Sequence, residues 1–91
     1  MSVSYRLIKE VRSYLRIATD DFDGEIVDLI ESAIADLAQG GISSSEDALY
    51  KRAVVTYVKA EFGLENTDAE RYREAYQNIK KHLMLTLSLP I

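Results

Sequence analysis

The chain is 91 residues long, 47% hydrophobic and 29% charged, with a formal net charge of −4, which is one globular domain's worth of sequence, expected to fold as a unit over 1–91. It contains no cysteine, one proline and four glycines. That excludes disulfide frameworks, thiolate metal sites and cysteine nucleophiles, and disfavours a turn-rich β sandwich. No apolar run approaches about 20 residues, so a soluble intracellular domain with no signal peptide and no membrane contact is expected.

Charge is unevenly spread. Residues 1–17 hold Arg6, Lys9, Arg12 and Arg16 against Glu10 alone, whereas residues 18–47 hold nine acids and no base. Residues 48–63 are again weakly basic, and the remainder balances. Complementary patches of this kind steer and orient partners, within one chain or between chains.

The pattern predicts an all-α domain of four amphipathic helices around a central third one, with an extended C-terminal tail. From Ser4 to Leu15, Leu7, Ile8, Val11, Tyr14 and Leu15 share one helical face, which places Arg6, Lys9, Arg12 and Arg16 on the opposite one. Thr19, Asp20 or Asp21 can cap the second helix. Asp23 and Glu25 complement its positive end, and Gly40-Gly41 stops it. Ser43 and Glu46 read as a capping box for the third helix, and Thr67 and Glu70 as one for the fourth. Apolar residues from Ala48 to Phe62 cover more than half the third helix, as packing on several sides requires. The fourth helix has a narrower seam of Ala69, Tyr72, Tyr76, Ile79 and Leu83. Leu15, Ile26, Ile30, Ile34, Val54, Val58, Tyr76 and Ile79 are the expected core. Leu85, Leu87, Leu89 and Ile91 then alternate with Thr86, Ser88 and Pro90, a period of two that reads as an extended apolar arm, with Leu85 to Leu87 open to being the end of the fourth helix and Pro90 blocking its continuation. Such an arm needs cover, from its own core edge or, preferably, from a neighbouring molecule.

No constellation for bond making emerges. The single histidine, His82, stands beside Lys80 and Lys81 with no partner at catalytic spacing. Taking Asp21 as the first ligand of a calcium loop puts Ile26 where glycine is required and Ser32 where glutamate is, so the acidic stretch fails that test. Gly40-Gly41 lacks the Lys-Ser/Thr continuation of a phosphate loop. The chain is expected to be no enzyme and to need no metal or cofactor. A small helical DNA-binding or packaging-accessory protein is the alternative reading. The nine-acid block opposes phosphate, and the basic helix lacks a base-reading mixture of Asn, Gln and Ser.

Residues Glu10-Val11-Arg12-Ser13-Tyr14-Leu15-Arg16-Ile17, the acidic turn Asp20-Asp21-Phe22-Asp23, and Ile26, Leu29-Ile30 and Ala33-Ile34 together resemble the head–tail connector family of tailed bacteriophages and prophages, also called DNA-packaging adaptors. A Gly/Ser loop and the apolar stretch Ala48–Phe62 continue the resemblance over nearly the whole chain. At Phe62-Gly63-Leu64-Glu65 the chain departs from the tyrosine-and-charge pattern that usually closes the third helix. The resemblance implies a structural subunit that forms a ring beneath the portal, matching its twelvefold symmetry and extending the DNA channel. Implied partners are further copies of itself, the portal and a head-completion or tail protein, with DNA passing through unread. The implied location is the head–tail junction of the virion, after assembly in the host cytoplasm. Arg6, Lys9, Arg12 and Arg16, Asp20, Asp21 and Asp23, and Leu87, Leu89 and Ile91 are the expected subunit or portal contacts.

Overall fold

A computed structural model describes residues 3–63 and 66–88, with side chains through Thr86. Four helices follow in chain order: α1 (Tyr5–Leu15), α2 (Asp23–Gln39), α3 (Ala48–Glu61) and α4 (Ala69–Ser88). Helix α3 packs against all three others, the central position its broad apolar surface predicts. Val54 and Val58 on α3 meet Ile26, Ile30, Ala33 and Leu37 of α2 and Val11 of α1 in the least exposed part of the core.

Local chemistry sets each boundary. Ser4 caps α1 by accepting the Leu7 amide at 3.1 Å, which satisfies one of the orphan donors of the first turn. Helix α2 closes in a Schellman motif: the Ile42 amide donates to the Leu37 carbonyl and the Gly41 amide to that of Ala38, both at 2.9 Å. Gly41 takes the left-handed conformation (φ 84°), and Ile42 and Leu37 are both buried, supplying the apolar contact that accompanies this motif. Helix α1 ends in the same way on Arg16, at φ 61°.

Several expectations about boundaries are corrected. Helix α3 begins at Ala48, after Asp47, with no side-chain cap. The Ser43/Glu46 box is not formed, because Ser45 Oγ accepts the Asp47 amide at 2.8 Å and turns the chain before a helix can start. At the head of α4, Asn66 displaces Thr67: its Oδ1 accepts the Asp68 amide and its Nδ2 donates to the Lys59 carbonyl at 2.6 Å. Asn66 thereby ties the end of α3 to the start of α4. Helix α4 also continues to Ser88. The alternation from Leu85 onward is therefore wound into helix as far as Ser88, and the Thr86 hydroxyl donates to the His82 carbonyl at 3.0 Å, a helical back-bond. Leu89, Pro90 and Ile91 lie outside the described residues.

Of the expected core, Ile26, Ile30, Val54, Val58 and Tyr76 are buried. Leu15, Ile34 and Ile79 pack against the core while partly exposed. Leu15 is the last residue of α1, and Ile34 borders rather than centres the buried stripe of α2. Replacing Ile30, with no exposed surface, by Ala is expected to cost about 2–5 kcal/mol in a denaturant titration, whereas Ile34→Ala is expected to fall below that range.

Candidate interaction surface

The charged residues of α1 divide according to what they face. Arg12 turns towards α2 and grips Asp23, Nε to Oδ1 at 3.2 Å and Nη2 to Oδ2 at 2.6 Å, with side chains only 16% and 25% exposed. This two-pronged geometry suits guanidinium and carboxylate, and the bond to Asp23 holds the Arg12 proton more firmly than usual. Arg12 and Asp23 are thus joined within one chain. Arg6, Lys9 and Arg16 remain exposed and form no ion pair among the described residues, although Lys9 Nζ stands 5.5 Å from the centre of the Tyr5 ring.

The acidic turn is built differently from a cap. Thr19 Oγ1 accepts the Asp21 amide and the Asp20 carbonyl accepts the Asp23 amide. The N-cap position of α2 falls to Phe22, which offers no side-chain bond. Asp20 and Asp21 are left exposed without an ion pair among the described residues. Phe22 is 47% exposed, its ring set edge-on to Phe62 with centroids 5.8 Å apart. Glu25 reaches across to accept the Gly63 amide at 3.3 Å, so the first turn of α2 is anchored to the end of α3 as well as to α1.

Between α1 and α3 lies a groove of about 420 Å³. Leu7, Tyr14, Ala48 and Val55 give it an apolar lining, and Glu10, Lys51 and Arg52 edge it. Lys51 approaches Glu10 at 3.8 Å and Glu46 at 3.5 Å; Arg52 is exposed and unpaired among the described residues. The sequence reading assigned Leu7 and Tyr14 to the core face and did not find this groove. Tyr14 is in fact 61% exposed, because its position on the helix lies at the rim of the buried stripe, where it borders α3 without being enclosed by it. Of the expected tail contacts, Leu87 lies within α4, and Leu89 and Ile91 fall outside the described residues.

Helix α4 is fastened to α2 by one carboxylate. The Tyr76 hydroxyl and Lys80 Nζ both donate to Asp36 Oδ2, at 2.5 and 3.0 Å, and Tyr57 sets its ring edge-on to Tyr76 at 5.1 Å. The Tyr76 bond, with help from Lys80, holds Asp36 below the usual carboxylate range. Burial, followed by the bond to Asp36, pushes the Tyr76 hydroxyl well above its ordinary value. Gly40 lets α4 come close: a Cβ there would meet Lys80 Cε at 3.2 Å and Met84 Sδ at 3.3 Å.

Among the described residues, no three His, Cys, Asp or Glu side chains are grouped to hold a metal ion, and no helix is long and apolar enough to cross a membrane. A small helical body whose open surface is shared by a basic face, an acidic turn and an apolar groove is a protein shaped to associate with other macromolecules. The chain belongs to the phage connector protein family, whose profile matches residues 7–88, so it is a structural protein of the bacteriophage particle with a connector role. No curated protein and no solved structure gives a significant match.

The Asp36 cluster makes a signed prediction about pH. Asp36 is depressed in the folded chain, so its contribution is present above the unfolded value of about 3.9 and is lost as pH falls through that value and below. Tyr76 is raised, so its contribution is intact below about 10 and is lost as pH rises beyond. Tyr76→Phe is expected to cost about 1–2 kcal/mol at neutral pH, under the full worth of a charge-assisted bond because Asp36 is 36% exposed. Thermal melting across pH should show the variant losing less stability than the parent above pH 10.

Proposed function

We propose that this connector protein is a head–tail adaptor whose subunits form a ring beneath the portal, extend the DNA channel and present a surface to a head-completion or tail protein. Family membership over residues 7–88 carries this reading. The separation of exposed charge supports it, because a closed ring needs two different patches on every subunit. Arg6, Lys9 and Arg16 supply one of them and Asp20 and Asp21 the other. Arg12 and Asp23 contribute by orienting α1 against α2. DNA passes such a channel without being read in sequence. The working location is the head–tail junction, reached after assembly in the host cytoplasm, and a ring matched to the portal has twelve subunits.

Arg16 separates assembly from stability. A non-glycine residue in the left-handed conformation is strained by roughly 1–2 kcal/mol relative to the right-handed one, which glycine would relieve. Arg16→Gly is therefore expected to leave chemical stability within about 1 kcal/mol of the parent, the relieved strain offset by added chain entropy. The same variant, and Arg6→Glu with Lys9→Glu, should weaken ring formation on portal particles seen by electron microscopy. Assembly should weaken as salt rises, since exposed charges are screened over about 8–10 Å near physiological ionic strength. Normal rings from these variants would show that the basic face is only solvated. Loss of low-salt DNA retention, with normal rings, would favour the DNA-binding alternative.

Residues 85–91 contain no charged side chain and include Leu85, Leu87, Leu89 and Ile91. Met84 and Leu85 are exposed near the end of α4. Docking of this segment on the portal or a neighbour is part of the proposal. Deleting Ser88–Ile91 should leave monomer melting nearly unchanged and impair portal attachment. A large fall in melting temperature with attachment intact would assign the segment to its own subunit's core.

A further inference from the structure

We infer that the exposed Phe22 ring of one subunit seats in the α1–α3 groove of the next, with Asp20 and Asp21 beside Lys51 and Arg52. The inference rests on the ring-forming reading and specifies its contact.

Three observations meet in it. First, Phe22 is a half-exposed aromatic on a turn that also carries two exposed acids with no ion pair among the described residues. An aromatic anchor that fills a partner's pocket, ringed by polar contacts, is how protein interfaces concentrate their binding energy. Second, the groove is complementary in kind. Its volume of about 420 Å³ is ample for a phenyl ring, its floor is apolar, and its edge holds the Lys51–Glu10 pair and Arg52, exposed and without an ion pair among the described residues. An apolar hollow with two cations and one acid at its edge, one of the cations uncompensated, fits an acidic aromatic turn better than it fits a basic segment. Third, none of Asp20, Asp21 and Phe22 lines the groove of its own chain. Phe22 is held against Phe62, and Asp23 next to it is clamped by Arg12. Arg12 and Tyr14 diverge by about 160° around α1 at 3.6 residues per turn, so the residue that clamps the turn and the residue that lines the groove project from different faces of α1. Turn and groove are therefore unlike patches on one subunit, and pairing them between copies gives a head-to-tail contact, the kind that propagates until a ring closes.

The chain contains no cysteine, so introduced thiols report the contact directly. Asp21→Cys and Arg52→Cys change exposed residues and leave in place the phenyl ring, the apolar groove lining and the Asp20 and Lys51 charges. Mixed under mild oxidation, the two single variants are expected to form the D21C–R52C heterodimer in clear preference to either homodimer. The double variant is expected to give a ladder of cross-linked oligomers. Adding Phe22→Ala to the double variant should cut the ladder about tenfold or more, as truncation of a central anchor does. Circular dichroism of each variant checks that the helices persist, and adding Lys51→Glu, at the second cation on the groove edge, to the double variant provides an independent route to the same loss. Equal yields of heterodimer and homodimers, or a ladder indifferent to Phe22→Ala and Lys51→Glu, would overturn the inference. Rings of normal size on portal particles without any cross-link would overturn this contact and leave the ring-forming reading standing. Absence of rings, ladder and heterodimer alike would overturn both.

Discussion

Arg12 and Asp23 meet at 2.6 Å across the α1–α2 junction, and the arrangement of everything outside the core depends on that pair. It takes one cation out of a group of four and one anion out of a run of acids, and fixes α1 against the first turn of α2. Both side chains are well shielded, so the pair orients the helices while its net contribution to stability is limited by the cost of desolvation. The cations and acids left over, Arg6, Lys9 and Arg16 of α1 and its end and Asp20 and Asp21 of the turn before α2, stay exposed. The Glu10–Lys51 pair on the groove side of α1 is longer, at 3.8 Å, and more exposed, so Arg12–Asp23 is the better-shielded of the two charge pairs that complement the packing of Ile8 and Val11.

A second carboxylate does for α4 what Asp23 does for α1. Asp36 accepts from both Tyr76 and Lys80, and Gly40 allows α4 close approach at the end of α2. Helix α4 has only a narrow apolar seam, with Tyr76 and Leu83 its buried members among the described side chains. Its position is set by directional bonds at two points, Tyr76 and Lys80 to Asp36 of α2 and Arg73 to Glu61 of α3 at 2.9 Å, and by packing on α3 along the rest. This division explains how α4 can run for 20 residues and still carry exposed Met84 and Leu85 towards its end: its anchor lies near its middle.

Periodicity made the four helices and the central place of α3 legible in the sequence, because both follow from how much of each helix is apolar. Ile26, Ile30, Val54 and Val58 were legible as core for the same reason. The caps were less so. Ser43, Glu46 and Thr67 have the residue types of capping boxes, yet Ser45 and Asn66 take the amides instead, and a spacing rule cannot rank hydroxyls and amides that compete within three residues. Between Leu85 and Leu87 the sequence left helix and arm both open, because alternation of large and small residues is compatible with either period over so short a stretch; the helix runs to Ser88. The groove was not legible at all. Leu7 and Tyr14 fall on the apolar stripe of α1, and only the offset between α1 and α3 determines that Tyr14 overhangs α3 instead of being enclosed by it.

The same offset bears on why the fold tolerates features that cost it stability. Arg16 sits in a left-handed conformation where glycine would be unstrained, Phe22 occupies an N-cap that Ser, Thr, Asp or Asn would fill better, and Tyr14 is left largely in water. Each departs from what local stability favours, and none is needed by the core, which closes over Val11, Ile26, Ile30, Leu37, Val54 and Val58 without them. All three lie where α1 ends, α2 begins or the α1–α3 groove opens. Exposed Tyr5, Met84 and Leu85 and the uncapped start of α3 lie elsewhere, so the grouping is a concentration and not an exclusive one. Strain and exposed aromatic surface at the junction of α1 and α2 are what a surface kept for purposes other than folding would carry, and the proposed subunit contact gives them such a purpose.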